Sequence, residues 1–221
     1  MSQEIKIEKK ASEVIQPGSA KEARQAIREK KDLSGAVLSG IELKNLTSAG
    51  AVLRKTDLSG ADLSNSLLIF PNFYRATMYS TAIHNTVILG GDLVRTNFNE
   101  ADLSESALIG VEAREASFEN ANLREAALVR ANLQDTNFTN ANLANARLAS
   151  SDVTGADFTD AELSGARAYK IDWSKAKVPP TVIPEPILNL PNWAWAIIAG
   201  SVVGIIALVI YAIFRKKKPK A

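Results

Sequence analysis

The chain has 221 residues, 46% hydrophobic but only 6% aromatic, so any core must be built mainly from Leu and Ala. It has no cysteine and one histidine, His84, which excludes disulfides, thiolate nucleophiles and cysteine-based metal sites and leaves no ligand set for zinc. The net charge of +2 hides a segregation: residues 31–174 carry 12 Lys/Arg against 18 Asp/Glu, while five basic residues crowd the tail after Phe214, and no single basic face suggests a nucleic-acid partner.

Residues 1–30 form an N-terminal segment. After Pro17-Gly18, the run Ser19-Ala20-Lys21-Glu22 is a capping-box pattern. It predicts a helix from about Ala20 to about Lys30 with Ala20, Ala23 and Ile27 on one face. The helix is read as a cap on the region that begins at residue 31; an amphipathic partner-binding helix is the alternative.

From residue 31 to 174 the sequence repeats every five residues. Of the 29 positions taken at fives from Leu33 to Trp173, all but Ser48 are apolar. Two residues earlier in each repeat, 23 of 29 positions hold Ala, Ser, Thr or Gly. A period of five fits neither helix nor strand, and Asn, Asp, Ser, Thr and Gly at the remaining positions compete with helical hydrogen bonding. A chain that turns a corner every five residues needs one large inward residue, one small inward residue and turn-tolerant residues outside. The exceptions Ile41 and Leu46 flank Ser48 and suggest an irregular first or second coil, and Pro71 suggests a locally widened turn.

Stretches such as Ala61-Asp62-Leu63-Ser64-Asn65, Ala101-Asp102-Leu103-Ser104-Glu105, Ala121-Asn122-Leu123-Arg124-Glu125 and Ala141-Asn142-Leu143-Ala144-Asn145 resemble the A(D/N)LXX signature of the pentapeptide-repeat family. The resemblance implies an all-β solenoid, a right-handed quadrilateral β-helix with four repeats per coil. Residues 31–174 would then make about seven coils, and at strand spacing a rod on the order of 34 Å long. The family's abundance in cyanobacteria points, by resemblance, to a photosynthetic membrane.

With 20 residues per coil, outward residues 20 apart stack on one side of the rod. One side differs from the other three, because its middle coils present Leu67/Ile69, Val87/Leu89, Ala107/Ile109 and Ala127/Val129. Contiguous outward apolar surface usually has something covering it. Leu67, Ile69, Val87, Leu89, Ile109 and Val129 are therefore the candidate docking strip for a protein partner. The other coverings considered are the chain itself, through its N-terminal residues or the segment 178–190, and a bilayer surface. A second candidate patch is formed by the outward Phe70, Tyr74, Tyr79 and His84.

Prolines 179, 180, 184, 186 and 191 mark residues 175–192 as a linker, of which 178–191 as polyproline II would reach about 40 Å. Residues 193–214 contain no charge, and at 1.5 Å per residue they would span roughly 30 Å of hydrocarbon. Trp193, Trp195 and Tyr211 lie near the ends, as interfacial aromatics do. Ala196, Gly200 and Gly204 fall four apart, a spacing that lets two such helices approach and a homodimer form. Residues 215–221 are a basic tail, which favours a cytoplasmic C-terminus and an exported rod. The lack of an N-terminal signal and the late position of the span favour a tail-anchored, single-pass protein with a cytoplasmic solenoid, and this is the orientation expected.

No Walker A, GxGxxG or GxSxG motif occurs, and the Asp and Asn ladder is accounted for as turn residues. No catalytic residue, cofactor or metal is expected. The expected function is a membrane-anchored scaffold or assembly protein that holds a protein partner, a membrane complex among the candidates, through the apolar side. The alternative, implied by one branch of the family, is a DNA-mimicking regulator that binds topoisomerases.

Overall fold

The computed structural model describes residues 14–186. Within the repeats the backbone turns at every fifth residue. Each of these corner residues from Gly35 to Lys170 has positive φ, for example 77° at Gly35, 57° at Asn65 and 59° at Asn145. That conformation is cheap for Gly and tolerable for Asn and Asp, which is why those types recur there. At most corners the turn is closed by a hydrogen bond three residues back, such as Ala36 N–H to the Leu33 carbonyl and Ala61 N–H to the Leu58 carbonyl, both 2.9 Å. Where an Asp or Asn precedes the inward residue, its side chain holds the corner as well. Asp57 accepts from the Ser59 N–H at 2.9 Å and Asn142 from the Ala144 N–H at 3.0 Å.

Four such segments make one coil. Successive coils meet in parallel with an offset of 20, as in Asp32↔Val52, Val37↔Asp57 and Glu42↔Asp62. On the fourth side the backbone stays extended for three residues, giving β1 (Thr47–Ala49), β2 (Leu67–Ile69), β3 (Val87–Leu89), β4 (Ala107–Ile109), β5 (Ala127–Val129), β6 (Arg147–Ala149) and β7 (Arg167–Tyr169). These seven strands, one per coil, form a single parallel sheet in sequence order, which ends with the short β8 (Glu185–Pro186). The fold is thus an all-parallel β-solenoid of seven coils.

The core is a column of inward side chains. Phe98, Phe118, Phe138 and Phe158, one per coil, stack with centroids 4.8, 5.2 and 4.9 Å apart. Equal spacing of coils brings identical rings into offset contact. At the small inward position, Thr hydroxyls donate to carbonyls of the preceding coil, as Thr81 to Leu58 (2.8 Å) and Thr96 to Phe73 (2.8 Å). A polar side chain is therefore satisfied inside an apolar rod.

The coil that contains Ile41, Leu46 and Ser48 is regular, unlike the expectation. Ser48 pairs in register with Leu68, and the swap conserves volume: the large Leu46 stands at the small position and the small Ser48 at the large one. Val111 and Ala113 repeat the same exchange. Pro71 does not widen its turn either. The register Asn72↔Asp92 is kept, and Gly91 in the next coil gives way instead. A Cβ at Gly91 would lie 2.6 Å from the Pro71 carbonyl oxygen and 2.7 Å from its Cδ.

Both ends are covered. Helix α1 (Ala20–Arg28) begins at the N-cap Ser19, whose hydroxyl accepts from the Glu22 N–H, and buries Ala23, Ala26 and Ile27. Ala26 thus replaces Ala20 on the buried face. Arg24 donates to the carbonyls of Glu42 (3.2 Å) and Lys44 (2.9 Å) of the first coil, as a solenoid cap must to satisfy an open edge. At the other end Trp173 packs edge-on against Phe158 at 5.4 Å. The proline-rich stretch differs from the extended spacer expected. Val178 bridges to Asp157, its carbonyl accepts from the Phe158 N–H at 2.9 Å, and β8 pairs with β7. Residues 175–186 therefore belong to the end of the rod. Pro180 is buried there, so apolar burial outweighs the stiffness that proline content alone suggests.

Candidate functional site

The central residue of each strand points into the rod and the two flanking residues point out. Register then stacks the outward residues into two columns, Leu67–Val87–Ala107–Ala127 and Ile69–Leu89–Ile109–Val129. All six residues of the expected docking strip are brought together on this one sheet face. Leu89 and Ile109, with Ile69, Ala107 and Val129 packed beside them, make an apolar cluster separate from the main core. Exposure within the strip is uneven. Val87, Leu89 and Ile109 retain only 6, 7 and 6%, whereas Leu67, Ile69 and Val129 are half-buried. The strip therefore has a closed floor and an open rim.

Phe70 belongs to this face. It occupies the corner after β2 with φ 49° and is 64% exposed. Its ring lies over Gly90, where an added Cβ would meet Phe70 Cδ1 at 2.4 Å. Glycine at 90 thus leaves the space that the Phe70 ring occupies. A bulky aromatic in the left-handed region is unfavourable by roughly 1–2 kcal/mol; the equivalent corners hold Gly50, Gly90 and Gly110 and then Arg130, Ser150 and Lys170, so Phe70 is the one aromatic in this column.

Tyr74, Tyr79 and His84 do not join Phe70. They lie five residues apart on the three successive other sides of the same coil, each with its own partners. Tyr74 sits between the guanidinium groups of Arg54 and Arg75, 5.2 and 5.3 Å from its ring centre. Tyr79 donates to Glu100 at 2.6 Å, and that bond raises its hydroxyl pKa. His84 Nδ1 is 3.5 Å from Asp102 Oδ2, within ion-pair range if the ring is protonated, but it makes no hydrogen bond. The expected second patch is thus divided around the coil, because a five-residue spacing advances one side at a time.

Ion pairs lie mainly on the other sides, among them Arg95–Glu115 at 2.7 Å and Lys177–Asp157 at 3.1 Å. The aspartates serve the turns. The Thr154 hydroxyl, then the Gln134 amide and the Thr154 N–H, hold Asp152 below its ordinary pKa, and the Thr159 hydroxyl and N–H do the same for Asp157. Their Oδ1 atoms accept from Thr154 and Thr159, two residues on, and their Oδ2 atoms from Gln134 and Lys177. Among the described residues no group of three or more His, Asp or Glu is placed to hold a metal ion.

The roles of Phe70 and Gly90 were not anticipated from sequence. The readable signal was the fifth-residue column, where a Phe stands in a position otherwise rich in Gly and Asn. The expected span 193–214, with Ala196, Gly200 and Gly204, lies outside the described residues. Among the described residues no helix is long and apolar enough to cross a membrane.

Residues 32–68 match the family described as pentapeptide repeats (8 copies), and residues 89–158 match the one described as pentapeptide repeat region. No curated protein matches the chain. Among solved structures it is similar to QnrB1, a plasmid-mediated fluoroquinolone resistance protein, at 21% identity over 75% of this chain and 92% of that one, with a TM-score of 0.42. It is also similar to HetL, a pentapeptide repeat protein involved in heterocyst differentiation regulation in the cyanobacterium Nostoc, at 21% identity, 70 and 81% coverage and a TM-score of 0.24. A pentapeptide repeat protein of the Arabidopsis thaliana thylakoid lumen shares 26% identity over 63% of this chain and 72% of its own, with a TM-score of 0.25. Two family matches inside one uninterrupted five-residue register, coiled at 20 residues per turn, establish that the chain belongs to the pentapeptide-repeat family.

Proposed function

We propose that this protein is a non-enzymatic, membrane-anchored scaffold that docks a protein partner on the β2–β5 face. The partner's contact is the open rim, Leu67, Ile69 and Val129 with Phe70 as the aromatic anchor, over the closed floor of Val87, Leu89 and Ile109. Phe70 carries the reading. It holds a large ring 64% exposed at the edge of an otherwise apolar face, and an exposed aromatic beside such a surface is the kind of side chain that anchors a partner. The uncharged stretch 193–214 supplies the single-pass anchor in this reading, and Ala196, Gly200 and Gly204 the surface on which two anchors pair.

The test is co-purification of the full chain from its native membranes in mild detergent. Phe70→Asn relieves the backbone strain and removes the ring, so the expected result is stability unchanged or raised by up to about 1 kcal/mol and partner recovery reduced at least tenfold. Ile69→Asp with Val129→Asp should also lose the partner, and Ser39→Asp on another side should retain it. Equal recovery from all of these would refute the docking face.

A further inference from the structure

The same sheet face changes character at its far end. Beyond β5 the first outward column continues as Arg147 and Arg167, and Lys170 comes at the next corner with its ammonium 5.2 Å from the Tyr169 ring centre. Arg147 and Arg167 are register partners on adjacent strands, both exposed. Like charges stacked at strand spacing repel. Among the described residues neither arginine forms an ion pair, whereas on the other sides of the same end Lys175 is matched by Asp172 and Lys177 by Asp157. Glu185 succeeds Arg167 in the column through β8 and, among the described residues, is the one carboxylate on this face near them, without an ion pair to it. The arrangement leaves two planar guanidinium groups and an ammonium turned outward, suited to bridging phosphate oxygens.

The place of these residues names the anion. The described chain ends at Pro186, on β8, at the edge of this sheet. Only six residues, 187–192, separate it from the apolar stretch that begins at Trp193, and six residues reach at most about 20 Å. We infer that the β6–β8 end of the solenoid rests on an anionic lipid surface, with Arg147, Arg167 and Lys170 against the headgroup phosphates. The inference rests on reading 193–214 as the anchor, and it deepens that reading by turning the docking face toward the bilayer, where a membrane-embedded partner can meet it. Basic residues near an anionic leaflet each strengthen partitioning roughly fivefold, and salt weakens the effect.

The experiment reconstitutes the full chain into vesicles that contain a headgroup nitroxide lipid, either neutral phosphatidylcholine or a mixture with roughly one-third phosphatidylglycerol. The chain has no cysteine, so Ser150→Cys gives one fluorophore site on the exposed corner after β6, and Ser164→Cys one on another side of the next coil. The expected result is quenching at 150 that is several-fold stronger in anionic than in neutral vesicles, abolished by high salt and by Arg147→Glu with Arg167→Glu. Position 164 should stay unquenched. Alkali-resistant retention in neutral vesicles reads the anchor separately. Retention without anionic-lipid-dependent quenching overturns this inference and leaves the anchor standing. Quenching without retention overturns the anchor and keeps the lipid contact. Absence of both overturns both, and circular dichroism of the double variant excludes unfolding as the cause.

Discussion

Gly91 shows how closely one residue can be tied to its neighbour in the next coil. Its φ of 101° and the 2.6 Å approach of a would-be Cβ to the Pro71 carbonyl leave no space for a side chain. Gly91→Ala should therefore cost about 2–4 kcal/mol from strain and overpacking together, read as a fall in the urea midpoint. Gly110→Ala is the internal control. Its φ is also positive, at 64°, but nothing lies within 4 Å of the added methyl, so it should cost only about 1 kcal/mol. Equal costs would mean that the Pro71–Gly91 contact is not tight. Acid sensitivity belongs at this scale too. Asp152 and Asp157 are held below their ordinary pKa by turn hydrogen bonds. Their contribution is complete above the unfolded value of about 3.9 and is lost as pH falls through it toward the folded value. The urea midpoint should drop on acidification below about pH 4. Asp157→Asn keeps the acceptor that Asn137 and Asn142 use at equivalent corners, so it should retain the fold at neutral pH and flatten this acid limb.

At the level of elements, each coil is stabilised by the coils on either side, so the ends decide where unfolding starts. Trp173 covers the last phenylalanine of the stack. Trp173→Ala should expose that end and destabilise it by roughly 2–4 kcal/mol. Hydrogen exchange should speed up first in β7 and β8 and leave β3 and β4 protected; uniform acceleration would contradict a local cap. Much of this architecture was legible in the sequence, because a five-residue register fixes which residues point inward and which stack 20 apart. The capping box at Ser19 was legible for the same reason, as a local pattern with one physical use. The proline-rich end was not. Composition marks Pro179 and Pro180 as stiff, but the pairing of Val178 and β8 with the last coil depends on a coil edge that sequence alone does not display. The candidate site was half legible. Its two columns come from the register, but the closed floor at Leu89 and Ile109 and the place of Phe70 depend on lateral packing and on Gly90.

For the whole molecule, the layout of charge and apolar surface is what separates the possible functions. A DNA mimic needs a dense and continuous negative surface. Here the acidic columns are interrupted, as in Asp62, Ala82, Asp102, Asn122 and Asn142, and basic residues such as Arg95 and Arg114 pair with the carboxylates. The apolar face, in contrast, is continuous over four coils, is flanked by an exposed aromatic, and gives way to arginine toward the end from which the chain continues to its uncharged segment. Site-specific photo-crosslinking in intact cells tests the docking face most directly, with benzoylphenylalanine placed in turn at Phe70 and at Tyr79 of the full chain. The docking face predicts one discrete adduct with a second protein from position 70 and none from position 79. An adduct from 79 alone, or a crosslink from 70 only to the chain's own residues, would contradict it.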